Sequence, residues 1–294
     1  MNELRCFLCE SKNFIPVLEV FEPDRFERAA GIPSEGYKRS WMECSTCGLL
    51  VNVFERRDIS YLYEKDYYST KTEKESVEEK FKRILSLPDE KSDNHFRVEK
   101  LYEYVKHFHR VYGHVIGAKK NVKILDVGAG TGVFLYRLLE KASAWEAAAI
   151  EPNELACIHL RGLGKFRVIE DYFPSKGITE KFDVVTLNKV LEHISDPTAF
   201  LESVNQNLTD YGLAYVEVPD KATALHRSCS DNILGSLHYY LFDPKTLCLV
   251  FEKSGFIPLT INRYVEPSGK ITVSGFGMSW KGFGKMCSAT GSKV

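Results

Sequence analysis

Long apolar runs are missing from this chain. No stretch of its 294 residues approaches the roughly 20 consecutive apolar positions that a membrane-crossing helix needs. The opening residues, MNELRCFLCESKN, lack the apolar centre of a secretory leader, so the expectation is a cytoplasmic protein with no membrane partner. An excess of charge of either sign is missing too. Lysine and arginine number 39 against 40 acids, a net charge of −1, which withholds the basic footprint of a nucleic-acid binder. Internal repeats and low-complexity blocks are absent. The 44% hydrophobic content is that of a folded chain, and the length suits one main domain with an appendage.

Cysteine is present, and unevenly placed. Four of the eight form two CxxC pairs, Cys6/Cys9 and Cys44/Cys47, and the other four, Cys157, Cys229, Cys248 and Cys287, stand apart from one another. Isolated cysteines usually serve as small buried hydrophobes. In a reducing compartment, paired ones favour a metal over a disulfide. Four thiolates in two knuckles suit a structural zinc ion, although the 34 residues between the pairs exceed the usual ribbon spacing. A redox dithiol would open a helix in a thioredoxin-like unit, which is absent, and iron–sulfur ligands cluster more tightly.

The pattern divides the chain in three. Residues 1–68 read as a zinc-binding module with strand-like runs FIPVLEVF and KRSWMEC. Residues 69–118 read as a helical linker and lid, with apolar positions such as Leu101, Val105 and Phe108 at helical spacing. From 119 to 294, strands alternate with helices: VKILDVG, EAAAIEP, FRVIE, KFDVVTLN, GLAYVEVP, IPLTINRYV and KITVSGFGMSW. This predicts an α/β fold, a Rossmann-like seven-stranded, mostly parallel sheet with helices on both faces. Asp196-Pro197 and Asp243-Pro244 mark two helix starts, and Gly255 a helix stop. The tyrosines at 61, 63, 67 and 68 read as the join between the parts, or as a cover over a cleft.

ILDVGAGTG places Gly128, Gly130 and Gly132 between a strand and a helix, and the next strand ends in an acid, Glu151. That spacing suits a loop that lets a ligand approach the backbone and a carboxylate that grips ribose hydroxyls. A dinucleotide site would carry a third glycine where Val133 stands. The loop, with Asp126 before it, resembles the first motif of class I S-adenosylmethionine-dependent methyltransferases. AIEP, FDVVTLNKVLEHISDP and LTDYGLAYVEVPD resemble that family's later motifs in order. The resemblance implies that Asp126, Gly128, Ala129, Gly130 and Gly132 contact the methionine portion of S-adenosylmethionine. It implies that Glu151 and Pro152 lie at the ribose, Asp171 (or Glu170) near adenine, and Asn188 and Lys189 near the sulfonium.

Two histidines are candidate bases, His193 in LEHISDP and His238 in LGSLHYYLFDP. His238 falls in a stretch, about 220–243, where such enzymes place acceptor-binding insertions. There a subset, similar to nucleotide-sugar C-methyltransferases with a zinc-binding N-terminal module, carries EHxxYF with the histidine as base. This chain has Leu237 in place of that glutamate. Methyl transfer to a small-molecule acceptor, most simply a nucleotide-linked sugar or a cell-surface or natural-product intermediate, is therefore expected, with His238, His193 and Asn188 as the catalytic candidates. An RNA or protein methyltransferase would use the ribbon to grip its substrate, but the charge does not favour it and no NPPY-type motif is present. A non-catalytic scaffold would not need the intact glycines and Glu151.

Overall fold

The computed structural model describes residues 4–54, 75–116, 121–224 and 232–279. The tyrosines at 61, 63, 67 and 68, and Cys229 and Cys287, lie outside those residues. Elements in chain order are β1 (Phe14–Val20), α1 (Arg25–Ala29), β2 (Arg39–Cys44), β3 (Leu50–Val53), α2 (Val77–Leu85) and α3 (Asp93–Ile116). The alternating part follows: β4 (Lys123–Val127), α4 (Val133–Lys141), β5 (Glu146–Glu151), α5 (Glu154–Leu163), β6 (Arg167–Glu170) and β7 (Phe182–Asn188). Then come α6 (Pro197–Asn207), β8 (Leu208–Pro219), β9 (Tyr240–Leu241), α7 (Pro244–Lys253), β10 (Phe256–Val265) and β11 (Ile271–Ser279).

The main sheet has seven strands in the order β10-β11-β8-β7-β4-β5-β6, as the pattern predicts. Only β11 runs against its neighbours. Strand residues alternate between two covered faces. Ile124, Ala149, Val184 and Tyr215 pack under Leu101, Val105 and Phe108 of α3 and Leu135 and Leu138 of α4. Leu125, Val127, Val185 and Val216 pack under Leu201 and Val204 of α6 and Val250 and Phe251 of α7. Asp196 and Asp243 cap α6 and α7 by accepting the Ala199 and Thr246 amides, and Gly255 leaves α7 with φ 75°.

Two local expectations change. Within the described part of the segment read as helical, 75–116, there are two α-helices rather than one, because Pro88 supplies no amide and disfavours helical backbone at Leu87. Ser76 and Glu79 cap the start of the first reciprocally. α5 is an element the pattern did not announce, capped by Asn153 and stopped by Gly164 at φ 64°. Among the described residues no helix is long and apolar enough to cross a membrane.

The N-terminal strands form an antiparallel sheet whose fourth member comes from far along the chain, in the order β1-β2-β3-β9. Leu50 pairs with Leu241 and Val51 with Tyr240. Cys6, Cys44, Cys47, Leu49 and Val51 share one apolar cluster with Phe242, Leu247 and Val250, so the small module and the α/β unit have a common core. Two lysines reinforce the seam. Lys221 donates to the Gly48 carbonyl at 2.7 Å and Glu43 at 2.9 Å, and Lys253 donates to the Phe7 carbonyl.

Candidate functional site

β4 and β7 end side by side, which brings the glycine loop against the loop after β7. Gly128, Gly130 and Gly132 all adopt left-handed backbone, at φ 69°, 55° and 73°. A Cβ on Gly128 would lie 2.8 Å from Val190 Cγ2, and one on Gly132 2.3 Å from Leu160 Cδ2, so both positions require glycine for space as well as for φ. Gly132 is also the N-cap of α4 and offers no side chain, which leaves that helix's first amides to a ligand.

Glu151 closes the loop from the next strand. It is 5% exposed, and its carboxylate accepts the Gly130 amide at 2.9 Å and the Asn153 amide at 3.1 Å. Burial raises its pKa, while the two amides oppose the rise. Pro152 follows at the partly exposed rim, and Ala129 is partly buried in the loop itself. Asp126, beneath the loop, accepts from Thr186 Oγ1 at 2.6 Å and Asn188 Nδ2 at 3.0 Å. Burial pushes its carboxyl up to about 7 despite those two bonds. The Asn188 amide oxygen has no hydrogen-bond partner among the described residues. Asp171 lies exposed after β6 and accepts from the Tyr172 amide and Ser175 Oγ, while Glu170 pairs with Arg161 at 2.8 Å.

Lys189 reaches toward β8 and β11. It sits at φ 58°, a conformation unusual for a side-chain-bearing residue. Its ammonium donates to Thr272 Oγ1 at 2.7 Å and lies 3.5 Å from both Glu217 and Glu266. It thus joins a buried ionic group that sequence reasoning missed. Arg97 of α3 grips Glu217 of β8, whose other oxygen accepts from Tyr215 at 2.8 Å and Tyr264 at 2.6 Å. Burial alone would raise the Glu217 pKa, but Arg97 and Lys189 outweigh it and hold the carboxylate ionised. Residues 97 and 217 are 120 positions apart, and no local pattern links them.

The two candidate bases meet. The His193 and His238 ring centroids are 4.6 Å apart at 68°. His193 Nδ1 bonds the Leu237 carbonyl at 2.9 Å and His238 Nδ1 the Ile233 carbonyl at 2.8 Å. Burial lowers His193 to about 4 and His238 well below the usual range, the second ring assisting the latter, so both are neutral at pH 7. Glu192 joins them, its carboxylate within 4.8 Å of both rings' ligating atoms, 1% exposed and with its carboxyl pushed up to about 8 by burial. An acid beside a histidine in LEH carries no signal of burial in the sequence.

The N-terminal module grips the turn that carries His238. Asn52 donates to the Gly235 carbonyl at 3.3 Å and the His238 carbonyl at 2.8 Å, and its amide donates to Tyr239. The Ser236 amide donates to Asp24 at 2.6 Å, and buried Arg39 and Trp41 both donate to the Leu234 carbonyl. From the other side the Tyr239 amide donates to the Glu192 carbonyl at 2.8 Å.

The cysteine pairs come together as a second centre. Cys6 Sγ lies 3.5 Å from Cys47 Sγ and Cys9 Sγ 3.5 Å from Cys44 Sγ, with all four sulfurs within 4.8 Å of one another. A tetrahedral ion with bonds of about 2.3 Å needs sulfurs roughly 3.8 Å apart, so the set fits one. Each knuckle closes alike: the amides of Glu10 and Gly48 return to the carbonyls of Cys6 and Cys44, both from left-handed backbone. The thiol of Cys47 holds Cys6 down to about 5, favouring its thiolate.

The family model described as "Methyltransferase domain" matches residues 77–261. The chain belongs to that methyltransferase-domain family. The match spans the glycine loop, Glu151, the loop after β7 and His238, and leaves the cysteine centre outside it. Relatives of this methyltransferase domain include the ubiquinone biosynthesis O-methyltransferase of Actinobacillus pleuropneumoniae serotype 5b (strain L20), 32% identical over 107 residues, covering 32% of this chain and 44% of that protein. The enzyme of the same name from Glaesserella parasuis serovar 5 (strain SH0165) is 27% identical over 103 residues, with coverage of 32% and 44%. The chain thus spans less than half the length of the curated relatives it matches. Among solved structures, the Burkholderia thailandensis 1,6-didemethyltoxoflavin-N1-methyltransferase, determined with S-adenosylhomocysteine, aligns at a TM-score of 0.49 and 16% identity, covering 80% of this chain and 96% of that one. A SAM-dependent methyltransferase from Aquifex aeolicus aligns at 0.47 and 18%, covering 68% and 97%.

Proposed function

We propose that this chain transfers a methyl group from S-adenosylmethionine to a small molecule, a nucleotide-linked sugar being the acceptor class that fits best. The observation that carries the reading is the loop itself: three left-handed glycines, two of them with no room for a Cβ, closed by a buried carboxylate at the end of the next strand. Asp126 and the α4 N-terminus would hold the methionine end, where the unpaired Asn188 oxygen offers a further acceptor. Glu151 and Pro152 would hold the ribose, and Asp171 the adenine side. When bound, the cofactor would supply an activated methyl on sulfur to the acceptor's electron pair, leaving the thioether as the product.

The protein's part is to align acceptor and donor, exclude water and take a proton. His238 is the favoured base: it is neutral, its Nδ1 is tied to a carbonyl, and Nε2 is the nitrogen able to accept. His193 orients and desolvates it, and Asn188 positions the donor. A near-zero net charge and relatives named for O-methylation of a small molecule support a small acceptor over a macromolecule. Cys6, Cys9, Cys44 and Cys47 would hold a zinc ion in a closed shell, supplying structure and no chemistry.

Calorimetry with S-adenosylmethionine, followed by a methyl-consumption screen over nucleotide sugars, tests the reading. Saturable one-to-one binding and turnover on a sugar nucleotide are expected. Absence of cofactor binding overturns it.

A further inference from the structure

Glu192, His193 and His238 each offer one metal-ligating atom, and the three atoms lie within 4.8 Å of one another. The rings are oriented from behind, since each Nδ1 faces a backbone carbonyl, that of Leu237 at 2.9 Å and that of Ile233 at 2.8 Å. A ring nitrogen facing a carbonyl carries the proton, so Nε2 is left as the ligating atom. The same carbonyl support stands behind metal-bound imidazoles generally.

Glu192 decides the matter. Its side chain is 1% exposed, and neither carboxylate oxygen has a hydrogen-bond partner among the described residues. Nearby cations are engaged elsewhere: Lys189 with Thr272, Glu217 and Glu266, and Arg97 with Glu217 and Glu266. A buried carboxylate with no donor is costly unless a proton or a cation neutralises it. Here each of two imidazoles places a ligating atom within 4.8 Å of the carboxylate, a set that a cation could share.

We infer that Glu192, His193 and His238 form a second metal site, separate from the four cysteines, that takes one divalent first-row transition ion. Two imidazoles and one carboxylate suit zinc, cobalt, manganese or iron(II) rather than the all-oxygen shells of calcium and magnesium. Three protein ligands leave a position open, which the closed four-cysteine centre does not. An ion there would lower the pKa of an acceptor hydroxyl bound to it, the task otherwise left to the bare His238 ring. That role rests on the methyl-transfer reading, whereas the site itself does not.

Cobalt(II) is the probe, dialysed against the full chain already carrying metal at its cysteines. Wild type is expected to bind one further cobalt per chain, with weak visible bands and no thiolate-to-metal charge-transfer absorption. Glu192→Gln should weaken that binding at least tenfold, as should His238→Gln, with unchanged circular dichroism showing that each variant keeps the fold. No further ion in wild type, or an ion held equally well by both variants, would overturn the site. S-adenosylmethionine calorimetry on the same samples separates the two readings. Cobalt binding without cofactor binding removes the methyl-transfer role and keeps the site, and cofactor binding without cobalt does the reverse.

Discussion

Asn52 donates its side-chain amide to the carbonyl of His238 at 2.8 Å, across 186 positions of sequence. A residue of the N-terminal module thereby fixes the backbone of the favoured base. Asn52→Ala should lower turnover about tenfold, the equivalent of about 1.4 kcal/mol on the barrier. Affinity for S-adenosylmethionine should stay as it is, because Asn52's bonds run to Gly235, His238 and Tyr239 rather than to the glycine loop. Steady-state kinetics beside calorimetry checks both. A weaker cofactor with unchanged turnover would refute the positioning role.

His238→Ala should abolish turnover while leaving cofactor binding intact. The ring is not among the contacts of the glycine loop, Asp126 or Glu151. Full activity in that variant would remove His238 from the reaction.

Two glycines separate backbone need from helix propensity. Gly132→Ala places a Cβ 2.3 Å from Leu160 at φ 73°, and the backbone conformation alone costs about 1–2 kcal/mol. The variant should melt several degrees lower and lose the cofactor. Gly162→Ala, inside α5 with open space around the new Cβ, should stabilise by about 0.5–1 kcal/mol. Calorimetric melting of both variants reads the opposite signs.

Asp126 makes the ligand-free chain sensitive to pH. Its folded pKa, about 7, lies above the ordinary 3.8, so between those values the folded state holds more protons than the unfolded one. Its contribution is full below about pH 4 and is lost as pH rises to about 7. Asp126→Asn should therefore gain thermal stability over wild type at pH 8 and show no such gain at pH 4. In wild type, a cationic ligand near Asp126 should expel its proton. Calorimetry near pH 7 in two buffers of different ionisation enthalpy would register that release, and identical heats would refute it.

Chelating the four-cysteine centre, or Cys44→Ser, should loosen the His238 turn as well as the knuckles. A loss of about 3 kcal/mol would lower the melting midpoint by roughly 6–12 °C. Hydrogen exchange should show protection falling at residues 234–241 together with 6–11. Loss confined to the knuckles would mean that the seam does not transmit it.

The α/β part was legible because its signals are local. Each strand is a short apolar run, two helix starts carry Asp-Pro, and the glycines announce a tight turn at the end of β4. For the candidate site the sequence names single positions, among them Asp126, Glu151, His193 and His238. What stayed hidden depends on distant partners. That Arg97 reaches Glu217, that Glu192 is buried, or that Asp24, Arg39 and Asn52 hold residues 234–238 follows only from packing. Even Pro88, plain in the sequence, was overridden in the reading by the apolar periodicity around it.

The pairing of β3 with β9 sets an order of events during synthesis. Both cysteine pairs and three strands leave the ribosome within the first 53 residues, yet the edge of β3 waits for Tyr240 and Leu241. For most of translation Leu49, Leu50 and Val51 have no permanent cover. The four thiols are synthesised early, but the sheet beside them is completed last. The shared core and the strand pairing reach back into the first 53 residues, whereas the family match begins at residue 77. A fragment cut there would keep β9 and lose the strand it was made for.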